Sequence, residues 1–185
     1  MKVTCSAGFL LLAAGLIYLD GTVLFVQVLA ACVLHEGGHF LAARVFGSRV
    51  CALRLTMAGA EMKLDPNVQL SYAQDVLLAF AGPAVNLAAA WLAVLADANL
   101  FAGLNLSLGL INLLPIRPLD GGRILTDLLS LFGPELAEKV HSGLSVFVSG
   151  ILLGLGWAAW RRWGNLSLFC AAVWLVGGVL KEKRM

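Results

Sequence analysis

The sequence predicts an all-α polytopic membrane protein with about six transmembrane helices and a short β-hairpin between the second and third of them. Hydrophobic residues make up 60% of the chain and charged residues only 13%, which is too little polar surface for a water-soluble globule. The apolar residues also fall in separate runs, and a helix needs roughly 20 of them to cross the hydrocarbon core. The segments between the runs hold most of the charges, prolines and glycines.

Six apolar runs are the predicted spans. They cover residues 5–19, 22–46, 74–96, 99–116, 143–160 and 165–180. The first run follows Lys2, and a signal peptide is the alternative interpretation, although the run ends without the small residues that are typical of a cleavage site. The last two runs are separated only by Arg161-Arg162-Trp163-Gly164, which indicates a tight hairpin at the membrane interface.

Two longer segments connect the predicted spans. Between Gly47 and Pro66, apolar and polar residues roughly alternate on both sides of Gly59, and this pattern predicts the β-hairpin. Between Gly121 and Val140, apolar and charged residues mix as in an amphipathic helix at the membrane interface. Gly133-Pro134 is expected to interrupt that helix.

The charges predict orientation and exclude one class of partner. The formal net charge of +2 is too small, and the basic residues too scattered, for nucleic-acid binding. Lysines and arginines collect near both termini and after the second span, so the positive-inside rule predicts that both termini are cytosolic; only Arg161-Arg162 speaks against this. The four cysteines contain no Cys-x-x-Cys pair and are interpreted as small hydrophobic residues.

The sequence His35-Glu36-Gly37-Gly38-His39 lies near the predicted cytosolic end of the second span. Histidines four residues apart are separated by about 40° around a helix, so both imidazoles can reach one metal ion. Glu36 points to the side of the pair, where it can take a proton from water without itself being a ligand. A lone His or Glu at a span end is often only an interfacial residue, but three unpaired polar side chains in an apolar helix would each cost roughly 2 kcal/mol or more. The motif therefore predicts a zinc site, and its glycines would leave room for a substrate.

A catalytic zinc ion usually has three protein ligands, so a third ligand is needed. His141 follows a charged segment and is expected to face solvent, and the other candidates lie in loops or at span edges: Asp65, Asp75, Asp97 and Asp127. Asp120 differs because two prolines and two glycines break the fourth span around it. An ordinary interfacial turn is the alternative. On the predicted topology, however, Asp120 and the two histidines reach the same face of the membrane.

Three motifs together resemble those of the site-2 protease family, peptidase M50. They are His35-Glu36-Gly37-Gly38-His39, Ala81-Gly82-Pro83-Ala84-Val85-Asn86, and Asn112-Leu113-Leu114-Pro115-Ile116-Arg117-Pro118-Leu119-Asp120-Gly121-Gly122-Arg123. The chain is most similar to the branch of stage IV sporulation protein FB. The resemblance covers the second to fourth spans, which is more than half of the chain.

The resemblance implies an intramembrane zinc metalloprotease that hydrolyses peptide bonds in transmembrane or membrane-associated proteins, with a sigma-factor precursor or an anti-sigma factor as candidate substrates. One zinc ion per chain would be held by His35, His39 and Asp120, with Glu36 as general base. Asn86 and Asn112 match family asparagines and are predicted to bind the substrate backbone or the oxyanion, with hydrogen bonding between helices as an equal alternative.

The same resemblance implies a single membrane-embedded domain over residues 1–185, with a catalytic core at about residues 22–132. It also implies a bacterial cell membrane and a regulatory membrane protein as partner. Larger relatives carry PDZ or CBS domains, for which this sequence has no corresponding segment, so control by such a domain in cis is not expected.

Two other classes of protein remain as alternatives. A zinc carrier without peptidase activity would be expected to have polar residues along several spans, whereas here they cluster at one end of two spans. A purely structural membrane subunit would explain the hydrophobicity but none of the motifs. Neither alternative accounts for Glu36.

Overall fold

The computed structural model describes residues 2–56, 59–116, 119–164, 169–170, 172–173 and 176–177. These residues belong to two compact units, Met1–Ile111 and Asn112–Met185. The elements in chain order are β1 (Lys2–Cys5), α1 (Ala7–Val45), β2 (Val50–Thr56), β3 (Gly59–Leu64), α2 (Tyr72–Leu95), α3 (Asn99–Asn112), α4 (Asp120–Ser130) and α5 (Pro134–Trp163).

The predicted hairpin between the second and third spans is confirmed. Strand β2 pairs antiparallel with β3, and the pairing runs from Val50 opposite Leu64 to Thr56 opposite Gly59. A third strand was not predicted: β1 pairs parallel with β2, on the side of β2 that faces away from β3. The sheet order is therefore β1-β2-β3, with β2 in the middle.

Helices α1 and α2 each begin after a residue that caps them. Ser6 accepts a hydrogen bond on its Oγ from the backbone N–H of Phe9, 3.2 Å away, at the start of α1. At the start of α2, the Ser71 hydroxyl accepts from the Gln74 backbone N–H while the Gln74 side chain accepts from the Ser71 backbone N–H, which is a complete capping box. These local bonds satisfy backbone donors that a helix leaves without a partner in its first turn.

Helix α1 cannot be straight. A straight helix of its 39 residues would be about 58 Å long. However, the N–H of Ser6, just before the helix, donates to the carbonyl of Leu55, and Leu55 follows the helix end at Val45 by only 10 residues. The ends of α1 can therefore be no more than roughly 45 Å apart, even with every connecting residue fully extended. The two separate spans predicted at 5–19 and 22–46 are thus one bent element.

Three helices of the described residues are long and apolar enough to cross a membrane: Thr22–Val45, Tyr72–Leu95 and Pro134–Arg162. Helix α3 has 14 residues and is about 21 Å long, which is short for a hydrocarbon core of about 30 Å. The predicted span at 165–180 lies mostly outside the described residues. The prediction of a mostly helical protein is confirmed, whereas the count of six spans is not.

In the second unit, the expected break at Gly133-Pro134 is confirmed. Helix α4 ends at Ser130, and α5 begins with Pro134 at its first position, after Gly133 with a φ of 144° that favours glycine. The predicted amphipathic helix at 121–140 is thus α4 followed by the first turns of the much longer α5. Gly164, with a φ of 67°, ends α5 in the left-handed conformation, where the sequence predicted a turn.

Candidate metal centre

Helices α1 and α2 approach each other closely at two glycines. A Cβ on Gly38 of α1 would lie 2.5 Å from the carbonyl oxygen of Ala81 in α2. A Cβ on Gly82 of α2 would overlap the imidazole of His39 and lie 2.9 Å from Cε1 of His35. Both positions require glycine because the neighbouring helix occupies the space of a side chain. The glycine at 82 thereby makes room for both histidine rings.

His35 and His39 face each other in the interior of the first unit. Their side chains are 6% and 8% exposed, and their Nε2 atoms are 3.2 Å apart. The rings are arranged edge to face, with centroids 4.8 Å apart. The spacing of four residues on one helix therefore brings the two imidazoles together as predicted.

The other ring nitrogen of each histidine is held by a hydrogen bond. Nδ1 of His39 lies 2.8 Å from the carbonyl oxygen of Leu78, and Nδ1 of His35 lies 2.6 Å from Oδ1 of Asn86. Both partners are oxygen atoms that can only accept, so each Nδ1 carries the proton and donates it. In the neutral form of each ring, Nε2 then presents a lone pair towards the other ring.

This arrangement fits a metal ion. When both rings are neutral, neither Nε2 has a proton to donate across the 3.2 Å that separates the two atoms. Two nitrogens bound to one tetrahedral zinc ion at about 2.05 Å would lie about 3.3 Å apart. Histidine ligands of zinc also typically donate their second N–H to a carbonyl or carboxylate, as both rings do here. The donor set and its spacing are those of a zinc site.

Glu36 and Gly37 lie on the flank of the histidine pair. Glu36 is half-buried, between the buried His35 and the exposed Gly37. In the part of the chain that the structure describes, no atom of a neighbouring element lies within 4 Å of the place where a Cβ of Gly37 would be. Gly37 thus leaves open space on this flank, whereas Gly38 allows the close contact with α2, and the predicted access of a substrate stays a prediction.

Asp120 occupies the first turn of α4 in the second unit. Just before it, the N–H of Leu119 donates to the carbonyl of Ile116 at 2.8 Å. A Cβ on Gly121 would overlap the carbonyl of Leu113, so the chain folds back here only because that residue is glycine. The positive end of the helix dipole favours an ionised Asp120 carboxylate, which is the form that binds metal ions.

Comparisons with known proteins agree with these features. Residues 92–155, which include Asp120 but neither His35 nor His39, match the family model described as "Peptidase family M50". Rip3 of Mycobacterium tuberculosis is 34% identical over 177 residues, which cover 80% of this chain and 44% of that protein. The chain belongs to peptidase family M50.

Other relatives and one solved structure extend this assignment. A zinc metalloprotease of Methanocaldococcus jannaschii is 26% identical over 96% of this chain and 55% of its own length. Stage IV sporulation protein FB of Bacillus subtilis is 33% identical over 72% of this chain and 49% of its own length. The chain thus spans about half the length of these relatives.

The solved structure of the site-2 protease from Methanocaldococcus jannaschii has the same fold. It matches with a TM-score of 0.73 at 24% identity, covering 100% of this chain and 93% of that one. The chain is a membrane protein, as its three long apolar helices and its membership of this family of zinc metalloproteases together indicate.

In this M50 chain, the surroundings of Asn86 are those of an asparagine that forms hydrogen bonds between helices. It is fully buried, and its Nδ2 donates to the carbonyl of Ala31 at 3.0 Å and to Oδ1 of Asn105 at 2.8 Å. Both amide hydrogens are thereby used, whereas an oxyanion would need a free donor. Asn112 ends α3 and is half-buried, and its predicted role at the substrate stays a prediction.

Two buried polar residues were not foreseen. His141 is only 1% exposed, so the expectation that it faces solvent is wrong. Its Nδ1 lies 2.8 Å from Oγ1 of Thr126, and the Thr126 hydroxyl donates to the carbonyl of Gly122. Glu138 and Lys139, the charged residues just before His141, are exposed. Asn105 is fully buried in α3. An asparagine inside an apolar run is a signal that could have identified it.

Proposed function

We propose that this chain is an intramembrane zinc metalloprotease that hydrolyses peptide bonds in transmembrane or membrane-associated protein substrates. The observation that carries this proposal is the pair of buried imidazoles, each with Nδ1 held by an oxygen acceptor and with their Nε2 atoms only 3.2 Å apart. Membership of a family with named zinc metalloproteases supports it. The long apolar helix that carries both histidines supports a site within the membrane.

In this proposal, Asp120 completes the ligand set with His35 and His39. Two neutral imidazoles and one carboxylate are three ligands that leave a fourth position open, as a catalytic zinc ion requires. Support comes from the place of Asp120 in a motif that is similar to the family's, and from the first turn of α4, which favours its charged form. A bound zinc ion would act as a Lewis acid and lower the pKa of water at the site.

Glu36 performs the proton transfers. It follows the first ligand directly and is half-buried, so its carboxylate stands beside the site without being part of the histidine pair. It takes the proton from the attacking water and passes it to the leaving amine. The open flank at Gly37 gives an extended substrate access to this carboxylate.

The substrate must be extended where it is cut, because a helix hides its peptide bonds in its own hydrogen bonds. Among the described strands, β3 has a neighbour on one side only, and its other edge offers backbone groups to an extended segment. A membrane-spanning substrate would therefore unwind near the hairpin before cleavage. Sigma-factor precursors and anti-sigma factors with one apolar span are the substrate class that we propose to test first.

The decisive experiment compares wild type with Glu36→Gln in cells that co-express a tagged single-span substrate of this class. The glutamine keeps the size of the side chain but cannot accept the proton, so we expect normal zinc content and loss of the shortened product. General-base catalysis contributes typically 10²- to 10⁴-fold, which is enough to abolish cleavage on the timescale of a cell assay. Normal cleavage by Glu36→Gln would refute this mechanism.

A further inference from the structure

We propose that Asn105 is a positioning residue that determines which nitrogen of His35 is available to the metal ion, acting through Asn86. The inference rests on the proposed function, in which His35 is a zinc ligand. It comes from a chain of hydrogen bonds that starts at a backbone carbonyl of α3 and ends at the imidazole of His35 in α1.

The two asparagines are completely buried, each with 0% of its surface exposed. Nδ2 of Asn105 donates to the carbonyl of Phe101 at 2.9 Å, and its Oδ1 accepts from Nδ2 of Asn86 at 2.8 Å. Nδ2 of Asn86 also donates to the carbonyl of Ala31 at 3.0 Å. A buried amide without such partners would cost several kcal/mol, so the network keeps these side chains in place.

The direction of every bond in this network is fixed by two backbone carbonyls. A carbonyl oxygen can only accept, so Phe101 fixes the NH₂ group of Asn105, and the Oδ1 of Asn105 must then face Asn86. With its NH₂ group facing two acceptors, Asn86 presents Oδ1 to His35. His35 must therefore donate from Nδ1, and in the neutral ring this leaves the lone pair on Nε2.

Asn105 makes the opposite orientation of Asn86 unfavourable. If the Asn86 amide rotated by 180°, its Oδ1 would face the oxygens of both Asn105 and Ala31 at hydrogen-bond distance, and two bonds would be lost. Without the Asn105 oxygen only one bond, to Ala31, would oppose this rotation. The rotated amide would donate to Nδ1 of His35, and the proton of the ring would then reside on Nε2. That tautomer cannot bind a metal ion through Nε2.

A purely structural role would have a different signature. Asparagines between membrane helices commonly hold the helices together, and loss of such a bond lowers stability by a modest amount. It would not change the histidine tautomer. Partners of metal-bound histidines that fix the tautomer, in contrast, typically change metal affinity by 10- to 100-fold when they are removed.

The test uses the full chain in detergent and three variants of α3. Asn105→Leu has a similar size but lacks the acceptor, whereas Asn105→Asp keeps an oxygen that faces Asn86. Leu106→Ala is the control, because Leu106 is 46% exposed on the same helix. Zinc affinity is measured by chelator competition, and the histidine tautomers by ¹⁵N NMR of the zinc-free protein. The chain has only 3 histidines, so the signal of His35 can be assigned by substitution.

For Asn105→Leu we expect about tenfold weaker zinc binding, together with a population of His35 protonated on Nε2. Asn105→Asp is expected to stay within a few-fold of wild type, and Leu106→Ala to equal it. An unchanged tautomer in Asn105→Leu, or equal loss of zinc affinity in the Leu and Asp variants, would overturn the inference. The NMR measurement uses zinc-free protein, so it tests the effect of Asn105 on the His35 tautomer even if the wild-type protein bound no zinc. Absence of zinc binding by wild type would instead refute the proposed function.

Discussion

Substituting Gly82 by alanine tests how closely α2 must approach the two histidines. The new Cβ would lie 2.6 Å from Cε1 of His39 and 2.9 Å from Cε1 of His35. Carbon atoms in ordinary contact are about 3.5–4.0 Å apart, so the His39 ring or α2 itself would have to move by roughly 1 Å. A misplacement of 1 Å at a reacting centre can cost about 10²-fold in rate, and we expect at least tenfold weaker zinc binding as well.

Gly103→Ala in α3 is the matched control, because among the described residues no atom outside the adjoining backbone of α3 lies within 4 Å of a Cβ at that position. Both substitutions gain roughly 1 kcal/mol of helix propensity, so a difference between them reports the contact with the histidines and not the helix. Chelator competition gives the zinc affinity, and thermal unfolding in the same detergent gives the stability. Wild-type zinc affinity in Gly82→Ala would show that the close approach of α2 is not needed for the metal site.

Three further predictions concern other parts of the molecule. Asp120→Ala should lower the zinc content of the purified protein from about one ion per chain, as metal analysis would show, and normal content would exclude Asp120 as a ligand. Thr126→Val should lower the free energy of unfolding by about 1–3 kcal/mol in a denaturant titration, because it removes the hydrogen-bond partner of a buried His141 nitrogen. The control Leu128→Ala, at an exposed residue of α4, should leave His141 and its partner in place and lower that free energy less. Cysteines placed at positions 2 and 185 should react with an impermeant reagent only after cell lysis, since both termini are predicted to be cytosolic.

Sequence patterns predicted the local features of this fold. The alternation around Gly59 gave the hairpin, and Gly133-Pro134 marked the break before α5, because strand periodicity and the backbone limits of glycine and proline act within a few residues. The spacing of His35 and His39 likewise follows from one helix. Each of these predictions depends on neighbouring residues only.

Features that depend on distant contacts were missed. Strand β1 is too short to show alternation, and its parallel partner lies some 50 residues away. The burial of His141 depends on which face of α5 meets α4, and a charged neighbour in sequence says little about that face. The asparagine network joins three helices, so the sequence could place Asn86 in a motif but could not show that its donors are used.

The sheet also has a mechanical consequence for the histidine pair. Strand β1 leads into α1 and β2 follows it, so the helix that carries His35 and His39 is tied at both ends to the same three strands. A segment that pulls on the open edge of β3 would therefore transmit its force to the helix from two sides. Anchoring of this kind resists rotation of the helix about its own axis. It would keep both imidazoles in the same position while a substrate is being unwound.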